Sequence, residues 1–352
     1  EAVDFVTIHI LPYWEDFPIR AKFAAAHVDS IRRRMAVAFP GKEILIGETG
    51  WPSEGRMRDA ALPSRTNQAR VVAEILDLAK REGFRVNLIE AYDQPWKREL
   101  EGTVGGYWGL FDSVQRAVKY PPGEPISNFP YWKLQMASGL GLSFCVFGVA
   151  WLTLRRRPWK PRLASWIAVG LSATSGGILL GVAAHKLLYE SYGVGGWLMW
   201  GSLFAAAIAS PLLCANALMS GRSLPTFLEL LGPREMRTRS ALAAMLGAAL
   251  VVTTLIGAET ALGFVFDPRY KDFPYAALTM AVVPFSALML LNRPQEGVRP
   301  IAEAVFAGLL AASALYTVFN EGSDNWQSLW TCAVYALLAL TLWQARVVQT
   351  PK

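Results

Sequence analysis

Residues 43–55 read EILIGETGWPSEG. The apolar run from Glu43 to Ile46 is short, rich in branched residues and closed off by two glycines and a proline, the pattern of a buried strand rather than a helix. Its end carries a carboxylate, Glu48, followed by Thr49, Gly50, Trp51, Pro52 and Ser53. Upstream, a helical pattern runs from about Pro18 to Phe39, with Ala24, His27, Val28, Ile31, Met35 and Ala38 on one face, and Phe5–Ile10 before it reads as a strand. Downstream, Ser64 offers an N-cap and Gly83 a stop for a second helix that buries Ala69, Val72, Ile75, Leu76 and Ala79; Val86–Ile89 is a third strand. Strand, helix, strand, helix, strand at a steady interval predicts an α/β arrangement, a parallel sheet with crossover helices.

In parallel sheets of this kind chemistry sits at the C-terminal ends of the strands. The three ends here are Leu11-Pro12-Tyr13-Trp14-Glu15, Gly47-Glu48-Thr49-Gly50-Trp51-Pro52-Ser53 and Glu90-Ala91-Tyr92-Asp93-Gln94-Pro95-Trp96-Lys97. Aromatic rings beside carboxylates suit a carbohydrate, because C–H faces of a sugar stack on rings while a carboxylate stabilises or captures an oxocarbenium-like centre. Glu48, Glu90, Asp93 and Lys97 are the polar candidates, and Trp96 and Trp108 the stacking candidates. His9, inside the first strand, reads as a core histidine or one backing the site rather than an acid–base group.

These residues carry a family resemblance. IGETGWPSEG, with Glu48 at a strand end, is similar to the nucleophile motif of family 17 glycoside hydrolases, the β-1,3-glucanase family, here of a bacterial, membrane-attached kind. VTIHILPYWE (Val6–Glu15) resembles the sixth strand of that family, and LIEAYDQPWK (Leu88–Lys97) with GGYWGLFD (Gly105–Asp112) resembles the eighth strand and its loop. The resemblance spans about residues 3–115. It implies a retaining (β/α)₈ TIM-barrel enzyme in which Glu48 is the nucleophile, Tyr13 its hydrogen-bonding neighbour, Trp51 a wall of the site and Lys97 a lysine near the bound sugar. A retaining glycosidase also needs a second carboxyl group. The family places it in Gly-Asn-Glu on the fourth strand, and no such triplet occurs in this sequence. A full barrel takes about 250 residues, and the roughly 120 here leave room for its last three β/α units. The expectation is therefore the C-terminal piece of a longer protein, with an open sheet edge and no activity on its own.

The rest of the chain answers to a different solvent. Hydrophobic residues make up 53% of the 352, and the mean hydropathy is +0.27. From Leu134 onward seven apolar stretches stand near the ~20 residues needed to cross a bilayer. They run approximately Leu134–Leu154, Leu163–Ala184, Trp197–Met219, Ala241–Phe266, Tyr275–Leu291, Ile301–Phe319 and Ser328–Ala345. The domains expected are thus 1–125, the barrel portion; 126–133, a linker; and 134–352, an all-α multi-pass transmembrane region. Thirteen Lys and Arg, from Arg155 through Arg157, Lys160 and the 222–239 loop to Arg346 and Lys352, fall in alternate loops, against Lys186, Arg269 and Lys271 opposite. The positive-inside rule makes the thirteen cytoplasmic and the N-terminal domain extracytoplasmic, which in a bacterium means the periplasmic face of the inner membrane. Trp132, Trp197, Trp326 and Trp343 at stretch ends read as interfacial anchors. Glu259 and Glu303 lie near stretch ends, Gly177 and Gly181 read as helix packing, and Leu224–Leu231 reads as a short surface helix.

The formal charge of +6 reflects these topology residues, so nucleic acid is not an expected partner. Cys145, Cys214 and Cys332 lie in apolar stretches without metal-type spacing. No cofactor or metal is called for. The expected partners are a β-glucan oligo- or polysaccharide and the lipid bilayer, with a glucan-synthesising glycosyltransferase as a further companion. The resemblance implies a membrane-anchored retaining enzyme that hydrolyses or transfers β-1,3-glucan and forms β-1,6 links or branches. The alternatives are a non-catalytic glucan-binding or export component and a transporter with an accessory domain.

Overall fold

A computed structural model describes residues 3–121, 123–156 and 161–347; Arg157, Lys160 and Lys352 lie outside the described residues. The chain divides into two compact units. The first comprises residues 1–130 together with Tyr270–Asp272 and Glu321–Trp326, and the second holds the remaining residues from Tyr131 onward.

In the first unit three strands, β1 (Phe5–His9), β2 (Glu43–Thr49) and β3 (Val86–Leu88), form a parallel sheet in sequential order. Parallel neighbours need a crossover, and each is supplied by one helix: α1 (Ala24–Ala38), entered through a 3-10 turn at Ala21–Phe23, and α2 (Arg65–Glu82). The helix start expected at Pro18 falls later because Pro18 and the residues after it stay extended up to that turn. The second helix ends where its caps predict. Ser64 Oγ accepts the Asn67 N–H at 3.2 Å, and Gly83 closes the helix in the left-handed conformation at φ 70°. Its buried face is Gln68, Ala69, Val71, Val72, Ile75 and Ala79; Leu76, expected inside, is exposed. The stripe is displaced toward Gln68, whose amide is engaged at the strand ends.

Ile44 and Ile46 of β2 are buried, Ile46 in a core with Ala24, Val28, Val71, Ile75, Tyr13, Trp51 and Trp108. A third helix, α3 (Arg98–Gly105), follows β3 and turns at Gly102, φ 68°, where a Cβ would come within 2.3 Å of the Tyr270 carbonyl oxygen. Residues 270–272 and 321–326 pack within the same unit. Arg56 and Glu321 form a buried ion pair at 2.5 Å, Thr103 donates to Asp272 at 2.7 Å, and Asn325 donates to the Met57 carbonyl at 3.0 Å.

The second unit is helical. Its helices are α4 (Trp132–Arg155), α5 (Leu163–Glu190), α6 (Gly193–Met219), the short α7 (Phe227–Leu231), α8 (Ala241–Phe266), α9 (Tyr275–Asn292), α10 (Ile301–Glu321) and α11 (Trp326–Trp343). Among the described residues six are long and apolar enough to cross a membrane: α4, α5, α6, α8, α9 and α10. The seventh expected span, α11, is as long as α9 but more polar, and it is not among the six. It has 18 residues and carries Gln327, Ser328, Thr331 and Thr341, all buried, so its polarity is turned inward. Tyr335 on α11 is hydrogen-bonded to Thr260 on α8 at 2.6 Å, and Thr341 to Ser286 on α9 at 2.7 Å.

Small residues let α4 and α5 approach closely. A Cβ on Gly139 would lie 2.0 Å from the Gly177 carbonyl oxygen, and one on Gly181 would meet Gln135 at 2.5 Å. The stretch expected as a surface helix shrinks to α7, capped by a Thr226–Glu229 capping box. The Phe227 amide donates to Glu303 at 2.6 Å, so Glu303 is fully buried rather than turned toward headgroups; Glu259 is exposed.

Candidate active site

Glu48 departs from the alternation of its strand. Ile44 and Ile46 are buried, and regular pleating would send Glu48 the same way. The strand is irregular on both edges instead: β1 slips against it between Ile8 and His9, and β3 between Ile46 and Thr49. A slip of one residue exchanges the faces of everything beyond it. Thr49 accordingly is the fully buried residue, and the Glu48 side chain is 42% exposed. Its backbone stays tied to the sheet, the Glu48 carbonyl accepting the Ile10 N–H at 3.0 Å. Its carboxylate Oε2 lies 3.0 Å from His9 Nδ1.

Behind Glu48 the turn Thr49–Ser53 folds into the core. Trp51 is fully buried; its indole N–H donates to the Leu62 carbonyl at 3.1 Å, and its own carbonyl accepts from Gln68 Nε2 at 2.9 Å. The same Gln68 amide reaches the carbonyls of Trp108 and Gly109, at 3.0 and 3.2 Å, and so ties the turn after β2 to the loop after β3. Tyr13 lies edge-on to Trp14, Trp51 and Trp108, with ring centroids 4.9, 6.0 and 6.2 Å away. The Tyr13 hydroxyl donates to the Arg56 carbonyl at 2.9 Å, and burial pushes the phenol well above its usual pKa. The resemblance made Tyr13 the hydrogen-bonding neighbour of Glu48. In the structure His9 is the residue beside the Glu48 carboxylate, and the Tyr13 hydroxyl is turned to the Arg56 carbonyl in the turn after Trp51.

The third strand end brings Glu90 and Lys97 together as an ion pair, both partly exposed. Trp96 stands outward, with its indole N–H on Gln94 Oε1 at 2.8 Å. Trp108, expected to stack on a sugar, is only 3% exposed and belongs to the core instead. Asp93 is buried as well. It accepts the Gly109 N–H at 2.9 Å and Lys119 Nζ at 2.6 Å, and Lys119 also donates to Ser53 Oγ at 2.8 Å. Burial, only partly offset by Lys119 and the Gly109 amide, raises the Asp93 pKa to about 6. Asp93 and Lys119 thus buckle the Gly109–Lys119 segment to the second and third strand ends.

The strand ends therefore sort the predicted residues by depth. Glu48, Glu90, Lys97 and Trp96 reach solvent to different degrees, while Tyr13, Trp51, Asp93 and Trp108 lie beneath. Sequence reasoning missed Gln68 and Lys119, and it gave His9 no contact with Glu48. The only signal for Gln68 was a polar residue four positions after the Ser64 cap on the apolar face of its helix. Lys119 had none. A carboxylate at a strand mouth, with an imidazole nitrogen 3.0 Å away and aromatic rings beneath, is equipped for nucleophilic attack on an electrophilic carbon.

Residues 1–109 match the family model described as the BtgE/BtgC glycoside hydrolase domain. The chain is 30% identical over 127 residues to the glucan 1,3-beta-glucosidase of Saccharomyces cerevisiae, covering 34% of this chain and 40% of that protein. It is 26% identical over 110 residues to a probable family 17 glucosidase of the same yeast, 31% of this chain and 28% of the relative. A solved active-site mutant of Rhizomucor miehei beta-1,3-glucanosyltransferase, in complex with laminaritriose, is similar at 27% identity and a TM-score of 0.31, over 36% of this chain and 44% of that one. The chain spans less than half the length of these relatives. Residues 1–109 are thus similar to glycoside hydrolase domains of the family 17 type.

Proposed function

We propose that the intact protein is a membrane-anchored, retaining β-glucan-active glycosidase or transglycosylase, and that Glu48 is its nucleophile. The carrying observation is Glu48 itself: a solvent-reachable carboxylate turned out of its strand's alternation, at the strand end of the glycoside hydrolase match. In this reading the Glu48 carboxylate attacks the anomeric carbon, the bond to the leaving oxygen breaks, and that oxygen takes its electron pair and a proton from a second carboxyl group. The covalent ester is then opened by water, giving hydrolysis, or by a sugar hydroxyl, giving transfer and new β-1,3 or β-1,6 links. The match to the yeast glucan 1,3-beta-glucosidase covers 40% of that relative, and the reading needs that second carboxyl group in addition to Glu48. Lys97 and Glu90 line the sugar side of the third strand end, and Trp96 is the exposed ring on which a glucosyl face stacks.

The six apolar helices and the basic loops support an anchor with the sugar-active domain on the outer, periplasmic face of a bacterial inner membrane. The test is to incubate the intact protein and its Glu48→Gln variant with a β-1,3-linked oligoglucoside and follow product mass and linkage. Shortened or lengthened chains from the parent alone are the expected result, and chains from both sink the assignment.

A further inference from the structure

Strands β1 and β2 pair residue for residue from Phe5 with Glu43 to Ile8 with Ile46, and then the register slips so that His9 stands opposite Glu48 and Gly47 is passed over. Without that slip His9 would face Gly47, and Glu48 would lie one residue, about 3.3 Å, further along. The slip also needs Gly47 to be glycine. A Cβ there would stand 2.4 Å from Thr7 Cγ2, 3.0 Å from His9 Nε2 and 3.2 Å from His9 Cδ2, inside the space the imidazole occupies. The Gly47 backbone is held from the other side, its carbonyl accepting Asn87 Nδ2 at 2.9 Å. The ring is therefore seated on a bare stretch of backbone, with Nδ1 3.0 Å from Glu48 Oε2. An ionised carboxylate only accepts, so a hydrogen bond across this separation requires the His9 proton to be on Nδ1.

Resting on the reading of Glu48 as nucleophile, we propose that His9 is its positioning residue. By donating Nδ1–H to Oε2, His9 stops rotation of the carboxylate and leaves Oε1 as the attacking oxygen. When Oε1 bonds to the anomeric carbon, the displaced oxygen departs with the electrons of the broken bond, and Oε2 becomes the carbonyl oxygen of the ester. The same hydrogen bond then rests on that carbonyl, so His9 neither gains nor loses a proton. Gly47 is the seat that makes this geometry available; the dipeptide Gly47-Glu48 and His9 act as one unit assembled by the strand slip.

The experiment uses the intact protein in membranes and a 2-deoxy-2-fluoro-β-glucosyl fluoride carrying a β-1,3-linked glucose. Fluoride departs without needing a proton from an acid, so the labelling rate reports attack by Glu48 alone, and mass analysis of peptides locates the label. Wild-type protein is expected to be labelled on Glu48. The His9→Leu variant is expected to label about tenfold more slowly at saturating reagent, the loss of roughly one hydrogen bond to a charged group, with half-saturation unchanged. His9→Asn, which keeps a donor near the position of Nδ1, is expected to recover most of the rate. Gly47→Ala, which displaces the ring while retaining it, is expected to be as slow as His9→Leu. Rates in His9→Leu equal to wild type overturn the positioning role while leaving Glu48 as nucleophile; so does a His9→Asn rate no better than His9→Leu. Wild-type label on a residue other than Glu48 overturns both readings together.

Discussion

Asp93 and Lys119 pair with side-chain exposures of only 2% and 5%. Stripping water from both charges costs more than a surface pair would, and the Gly109 N–H and Ser53 hydroxyl supply the extra hydrogen bonds such a pair needs. The same burial raises the Asp93 carboxyl to about 6 and lowers the Lys119 ammonium. The folded protein thus holds the Asp93 proton more tightly than the unfolded chain, whose carboxyl titrates near 3.8, so this group's stabilisation is complete below that value and is lost as pH rises through about 6. Lys119→Met is therefore expected to lower the thermal midpoint of the N-terminal unit, read by tryptophan fluorescence, by the equivalent of about 3–5 kcal/mol at about pH 8. At about pH 5 the loss should be clearly smaller, because a protonated Asp93 needs no ammonium; equal losses would show that Asp93 stays charged at both. Asp93 was legible as a carboxylate beside aromatics, but its partner lies 26 residues away with no motif to link them, and its burial was not legible at all.

The elements were the most legible part. Short apolar runs, a helical stripe, a serine cap and a glycine stop placed β1, β2, α1 and α2 within several residues, because those signals act between near neighbours along the chain. The errors are local as well: Leu76 was put inside because it fits the helical stripe, and the stripe turned out to be shifted by Gln68, whose buried amide bonds three carbonyls that only the folded loops bring together. In the helical unit the small-residue pair read as packing, and the α4–α5 approach at Gly139 and Gly177 gives that reading a measurable form. Gly139→Leu is expected to cost about 1–3 kcal/mol of helix packing, followed by detergent-driven unfolding of the purified protein. Gly141→Leu, two residues on at a position where a Cβ meets nothing within 4 Å, should cost far less. Comparable losses from the two would mean that the α4–α5 contact is not what these glycines serve.

For the whole molecule, the distribution of basic loops makes a claim that side-specific labelling can check. A cysteine placed at Glu124 in the N-terminal unit should react with a membrane-impermeant maleimide in intact cells, and one at Arg237 only after the membrane is opened. The reverse pattern would invert the orientation. Local pattern alone was enough to separate an α/β segment from a run of long apolar helices and to set out the strands, most helices and the carboxylate at the strand mouth, since hydropathy, capping and periodicity are properties of neighbouring residues. It counted α11 as a seventh span; α11 is not among the six long, apolar helices, and its buried polar residues matter only once other helices surround them. The surroundings of Glu48 were settled by the tertiary structure: His9 rather than Tyr13 at its carboxylate, Trp51 and Trp108 as floor, Lys119 on Asp93. Each of these depends on the register between strands and the return path of loops. A one-residue slip between segments some forty positions apart leaves no trace in either segment's own sequence, yet it decides which side chains meet.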